Sequence, residues 1–349
     1  MRLTVVSIQT FGDYLLKAPF IYELYSHYPN SDITIVTNAK GAMVYPLVDS
    51  RLRIVVVDKR DSITSLFSKM ITLPKADVLY LIDQNPASSL LSFLIRARRR
   101  VGWQQSVSSL YHGPNAGFRD RNSVNSILAF LLGFVLDRRR LREPEDSYEG
   151  HVELGLLDAP SIRQRLAQYR TAYSMHPEPK SSPPFIFVGT STSWKARQLS
   201  DYQWYPILLR ILEMFPVHRI IIDAPDALIA RFQGSPRIQK LHKSDQLDSV
   251  FRLVSSADAI ICSDSFLTHL ASWFDVPAVA FFGPASPHRF SPTAPGSTVL
   301  FHRPLCSPCV QQRDSSLCLA GYTQCLSLQQ ITCEEVCAAI SKAIACRGR

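Results

Sequence analysis

Four short stretches of this chain gather side chains that can do chemistry. Gly12-Asp13 follows an apolar run at residues 3–8. A carboxylate there can cap a helix or take a proton from a hydroxyl as a general base, and local sequence alone favours the cap. Gly189-Thr190-Ser191 leads through Lys195 and Arg197 towards a helical pattern. Hydroxyls after a strand and cations before a helix make an anion site, although a loop with solvated cations would look the same. Asp264-Ser265 follows the apolar run 259–262, with His269 one turn further on, and Gly283-Pro284 ends the apolar run 276–282. These residues suit a ligand at strand ends. The structural alternatives are a helix cap for Asp264 or Ser265 and a core histidine bonded to a carbonyl for His269, the latter favoured.

The fourth stretch is Cys306-x2-Cys309-x8-Cys318-x6-Cys325. Thiolates at that spacing are expected to hold a structural zinc or iron in preference to remaining as surface thiols. Cys262, Cys333, Cys337 and Cys346 read as small core residues. The sequence has no Asp-x-Asp pair to hold a divalent ion on a diphosphate. A leaving diphosphate would then be stabilised by Lys, Arg and helix N-termini, and no catalytic metal is expected.

The elements that must position these groups form two series. Strands are expected at 3–8, 33–37, 52–57 and 77–82, with helices at 14–27 and 88–96. A proline- and serine-rich run then interrupts the pattern. Beyond it, strands at 185–188, 218–222, 259–262 and 276–282 alternate with helices at 204–215, 227–233, 248–255 and 267–273. Alternation of this kind predicts a parallel, doubly wound α/β sheet in each half. The expected division is residues 1–172, a linker at 173–184, and 185–349 with the cysteine loop at 306–325.

The chain has 349 residues, 46% hydrophobic and 19% charged, with a net charge of +9 that attracts polyanions. Arg96-Ala97-Arg98-Arg99-Arg100 reads as a solvated helix end. The apolar run 127–136 leads into Arg138-Arg139-Arg140. That pairing suits either a helix lying at a membrane surface or a buried core helix. No signal segment is visible and no apolar run approaches the ~18 residues of a membrane-spanning helix. A soluble, cytoplasmic protein is expected, with peripheral contact at the inner membrane as an option.

Together these motifs resemble glycosyltransferase family 9, the ADP-heptose heptosyltransferases. That family's pattern runs approximately S-N-D-[TS]-G-x-x-H-L-A…F-G-P, and Asp264, Ser265, His269, Gly283 and Pro284 match it, with Arg289 beyond. Gly12-Asp13 matches its opening G-D, and Arg100 to Trp103 its R-x-G-[FW]. The resemblance implies a GT-B fold, two Rossmann-like domains facing across a cleft. It also implies transfer of a sugar, most plainly heptose from ADP-heptose, with inversion, to a lipopolysaccharide-core or protein hydroxyl. Asp13 becomes the base, reversing the local preference for a cap, with Gly12, Thr190 and Ser191 beside the donor. Lys195 or Arg197 becomes the cation on the diphosphate. Phe266 stands where the family has glycine, which implies a reshaped donor pocket. Two other classes stay open: a nucleotide-sugar epimerase or hydrolase on the same scaffold, and a metal-ribbon nucleic-acid-binding protein. The latter is disfavoured because the basic clusters lie in the other half and lack interleaved aromatics, so no nucleic-acid partner is expected.

Overall fold

The computed structural model describes residues 1–102 (except 59 and 83–85), 134–136, 183–307 (except 193–194, 233 and 242–246) and 322–347. Trp103, Cys309, Cys318, residues 127–133 and the arginines at 138–140 lie outside the described residues, as does the Arg289 side chain. The chain divides into two compact units, one of residues 1–143 and 149–173, the other of 144–148 and 174–349.

The first unit runs β1 (Arg2–Val6), α1 (Phe11–His27), β2 (Asp32–Thr37), α2 (Ala39–Val48), β3 (Arg53–Val56), α3 (Ile63–Ile71), β4 (Ala76–Leu81), α4 (Pro86–Leu94), β5 (Ala97–Gly102) and β6 (Phe134–Leu136). Its strands pair in the order β3-β2-β1-β4-β5-β6. Every pairing is parallel, with Leu3 opposite Val78 and Val6 opposite Leu81. Leu3, Val5, Val6, Leu79 and Leu81 are buried, the near-continuous apolar pattern of strands covered on both faces. Asn38 caps α2 through the amides of Lys40 and Gly41, and Ser62 caps α3 through that of Ser65. A side chain at Gly41 would collide with Thr37, since its Cβ would lie 2.0 Å from the Thr37 hydroxyl.

The second unit runs β7 (Phe185–Gly189), a single 3-10 turn (Lys195–Arg197), α5 (Asp201–Met214), β8 (Arg219–Asp223), α6 (Asp226–Ala230), β9 (Ile238–Lys240), α7 (Leu247–Ser256), β10 (Ala259–Ser263), α8 (Phe266–Trp273), β11 (Ala278–Phe281), α9 (Pro287–Phe290), β12 (Thr298–Leu300), α10 (Leu326–Gln329) and α11 (Cys333–Arg347). The sheet order β12-β11-β10-β7-β8-β9 repeats the first unit's sequence of strands, again all parallel. In both units the order reverses beside the first strand, and ligands of such sheets bind outside the strand carboxyl ends at that point. Ser200 and Gln203 form a capping box on α5, and the Gln203 amide also donates to the Leu328 carbonyl at 2.8 Å, tying α5 to α10. Trp204 is fully buried against Phe281, ring centroids 5.5 Å apart.

Several expectations change. Helix α1 starts at Phe11, not near Tyr14, because Thr10 is its N-cap. The Arg96–Arg100 cluster is not a helix end: Ala97–Gly102 is β5, hydrogen-bonded between β4 and β6. The end of the apolar run 127–136 is likewise strand β6, so that run is not one continuous helix at a membrane or in a core. Cys262 and Cys337 are buried as expected, but Cys333 and Cys346 are only half-buried. Among the described residues, no helix is long and apolar enough to cross a membrane.

Trp204→Ala should therefore lower unfolding stability by about 3–5 kcal/mol, the usual cost of emptying a fully buried aromatic site. Urea denaturation followed by far-UV circular dichroism checks this.

Candidate functional site

In the second unit the reversal point lies between β7 and β10, and the residues after those two strands meet. Arg197 comes from the 3-10 turn after β7, and Asp264 follows β10 directly. Their side chains pair at 3.1 Å with only 19% and 5% exposure. The Asp264 amide donates to the Phe281 carbonyl at 2.9 Å, which fixes the residue against β11. Lys195, two residues before Arg197, is exposed. The two candidate cations thus differ in setting: Arg197 is neutralised by a buried carboxylate, whereas Lys195 stands at the surface. Thr190 is buried, and both its amide and its hydroxyl donate to the Asp223 carbonyl at the end of β8, while Ser191 is exposed.

Ser265 is the N-cap of α8, its hydroxyl accepting from the Leu267 amide at 3.3 Å. Phe266, in the family's glycine position, is the first residue of α8 and packs its ring 6.3 Å from that of Phe251 on α7. His269 is buried with its ring 6.4 Å from Phe290. Beneath them the Cys262 thiol is pushed up to about 12 by burial, although the Thr268 hydroxyl at 3.5 Å works the other way. Cys262 therefore stays a neutral core thiol.

The turn after β11 has a different role from simple ligand contact. A Cβ on Gly283 would come within 2.9 Å of the Cys325 Cβ and 3.2 Å of its Sγ, so only glycine lets the chain pass there. Ser307 donates its hydroxyl to the Gly283 carbonyl, and Ser327 donates to that of Phe282 at 2.7 Å. Pro284 is buried beside them. Both ends of the cysteine segment are thus fastened to one turn. Cys325 is buried and Cys306 exposed. Among the described residues no group of three potential metal ligands occurs.

In the first unit, Gly12 lies within the first turn of α1, so its place is a helix start rather than a separate tight turn. The Asp13 carboxylate accepts from the Thr10 amide at 3.1 Å and the Thr10 hydroxyl at 2.7 Å through one oxygen. Its other oxygen makes no hydrogen bond among the described residues. The cap reading of Asp13 is thereby realised, without consuming the whole carboxylate. One turn along α1, Lys17 is buried and donates to the Ile82 carbonyl just after β4. Sequence reading passed over Lys17, although a lone cation between Tyr14 and Ile21 was a visible signal.

Two doubly wound units of this kind are the GT-B architecture, and the chain is a glycosyltransferase. Residues 227–320 match the model described as glycosyltransferase family 9 (heptosyltransferase), so the identifying domain lies in the second unit. That match favours the transferase reading over the epimerase and nucleic-acid ones. No curated protein matches the chain by sequence. Among solved structures, the family 9 glycosyltransferase from Veillonella parvula superimposes with a TM-score of 0.70 at 15% identity, covering 99% of this chain and 97% of its own. The E. coli ADP-heptose LPS heptosyltransferase II gives 0.66 at 16% identity, over 100% of both chains. The iron-containing dodecameric glycosyltransferase TibC from enterotoxigenic E. coli gives 0.52 at 15% identity, over 98% of this chain and 75% of TibC. At these identities the likeness is one of fold.

The contrast between the two cations has a measurable consequence. Removing Arg197 takes the paired cation from a buried carboxylate, so Arg197→Met should cost about 3 kcal/mol or more of stability. Lys195→Met should stay within about 0.5 kcal/mol, as at an ordinary surface position. Urea titration of the two variants side by side makes the comparison.

Proposed function

We propose that this protein transfers heptose from ADP-heptose to a hydroxyl of a lipopolysaccharide core or of a protein, with inversion, in the cytoplasm. The observation that carries the reading is the polar group at the reversal point of the second unit, Arg197 and Asp264 with Lys195 beside them, adjoining the family 9 domain. The E. coli neighbour named as an ADP-heptose transferase supports the choice of donor.

In this reading Thr190, Ser191, Asp264, Ser265, His269, Gly283 and Pro284 frame the donor. The acceptor oxygen attacks the anomeric carbon as the bond to the diphosphate breaks, and ADP leaves. Charge then grows on the departing diphosphate. Lys195, exposed and close in sequence to the Arg197–Asp264 pair, is the cation placed to meet it. Asp13 takes the acceptor proton through the oxygen that Thr10 does not occupy.

We read Cys306, Cys309, Cys318 and Cys325 as the ligands of one structural zinc or iron. The fastening of Ser307 and Cys325 to the Gly283 turn supports this, because it brings the two ends of the thiol set to one place. Four thiolates suit either ion, and the metal would hold the segment without taking part in transfer.

Two outcomes test the proposal. Asp13→Asn keeps an oxygen for Thr10 and hence the cap, so melting should be unchanged while turnover with ADP-heptose falls about a hundredfold or more. Normal turnover in that variant would leave Asp13 as a helix cap alone. Elemental analysis of protein purified without added metal should find about one zinc or iron per chain, lost in Cys309→Ser with destabilisation of the second unit. Metal-free, stable and active protein would remove the metal reading.

A further inference from the structure

The turn that carries Lys195 and Arg197 is too short to hold its own place. It is a single 3-10 turn of three residues, closed by a bond from the Gln198 amide to the Lys195 carbonyl at 3.0 Å. A helical piece of that length has no stability of its own, because the first turn fixes several backbone angles for one hydrogen bond. What it touches must therefore set its position. Arg197 is pinned through Asp264. Lys195 is exposed on a flexible four-carbon stem, so the reach of its ammonium follows from where the turn sits.

Gln324 and Cys325 supply the second hold. The Cys325 amide donates to the Ala196 carbonyl at 3.3 Å. The Gln324 side-chain amide donates to the Gln198 carbonyl at 3.0 Å and to Oε1 of Gln203 on α5 at 2.7 Å. A glutamine amide has two N–H donors, and both are engaged here. Gln198 in turn donates from its own side chain to the Thr192 carbonyl at 2.9 Å, which draws in the residues before the turn. Two carbonyls at the tail of the turn, left over because no helix continues there, are thus met from a stretch remote in sequence. Capping of α5 does not account for Gln324, since the Ser200–Gln203 box is complete without it. The same stretch is itself anchored, by Gln203 to the Leu328 carbonyl and by Ser327 to that of Phe282.

We propose that Gln324 is a positioning residue for the donor diphosphate. It acts through the Lys195–Arg197 turn, holding Lys195 where the terminal phosphate of a nucleoside diphosphate arrives. Charge already in place stabilises a leaving group without reorganising as the reaction occurs. Freeing the turn should therefore weaken the grip on the terminal phosphate most, and that on the rest of the nucleotide little. The proposal rests on the donor reading above and adds to it the residue that sets the cation's place.

Isothermal titration calorimetry of the full chain with ADP and with AMP tests it. Gln324→Met keeps the length of the side chain and removes both donors. Its melting temperature should stay within about 4 °C of wild type, as for the loss of hydrogen bonds at a half-buried position. Its affinity for ADP should fall about tenfold and that for AMP about twofold or less, because a misplaced cation is felt where the terminal phosphate sits. In a Lys195→Met background the same change should weaken ADP binding about twofold or less, since the group it positions is gone. Unchanged ADP affinity in Gln324→Met, equal losses for ADP and AMP, or a full tenfold loss in the Lys195→Met background would each overturn the positioning role and leave the donor reading standing. A Gln324→Met protein that melts far below wild type would also overturn it, making Gln324 a structural residue. Wild type that binds no ADP would overturn the donor reading itself, and the proposal with it.

Discussion

A cation spans the reversal point of each sheet, buried in the first unit and half-buried in the second. In the first unit Lys17, carried on the helix after β1, reaches the carbonyl that follows β4. In the second, Arg197 follows β7 and pairs with Asp264 after β10. Parallel strands that order as 3-2-1-4-5-6 send their connections to opposite faces at this point, so the loops there diverge and open a crevice. The ladder joins β1 to β4 and β7 to β10 only as far as the strand ends. A long side chain ties together the residues beyond them. The ion pair in the second unit is the costlier device, since two charges leave water to form it. Its return is geometric: Asp264, the 3-10 turn and the start of α8 are set relative to one another before a ligand arrives.

The same geometry explains why the candidate site residues double as structural ones. Ser265 caps a helix, Thr190 bonds the end of a neighbouring strand, and Asp13 accepts from its own N-cap residue. Strand carboxyl ends and helix N-termini coincide in an α/β unit, so their orphan amides and carbonyls must be met by the short polar residues that a ligand would also use. A cap therefore does not exhaust the polar capacity of such a residue. Asp13 gives only one carboxylate oxygen to Thr10.

Much of the fold was legible because parallel strands are buried on both faces and read as continuous apolar runs. The central strands β1, β2, β4, β7, β8, β10 and β11 were found in this way, to within a few residues. What escaped was what that signal cannot carry. β5 holds three arginines although it lies between two other strands, so its composition spoke for a solvated helix end. α3 went unassigned although its apolar residues form one stripe, because at nine residues it spans little more than two turns. The motif residues of the site were legible individually, yet the Arg197–Asp264 contact was not, because it depends on two strands far apart in sequence becoming neighbours. The exclusion of a side chain at Gly283 by Cys325 is of the same kind.

That last contact bears on how the protein can change over evolutionary time. Ser307 and Cys325 hold the segment between them at both ends, so its closure is settled by contacts outside it. The entropy of closing a loop grows only slowly with its length, about 0.6 kcal/mol for each doubling. Insertions or deletions between positions 307 and 325 should then be tolerated with little effect on the Gly283-Pro284 turn. Length can therefore change there while the Gly283-Pro284 turn is inherited intact.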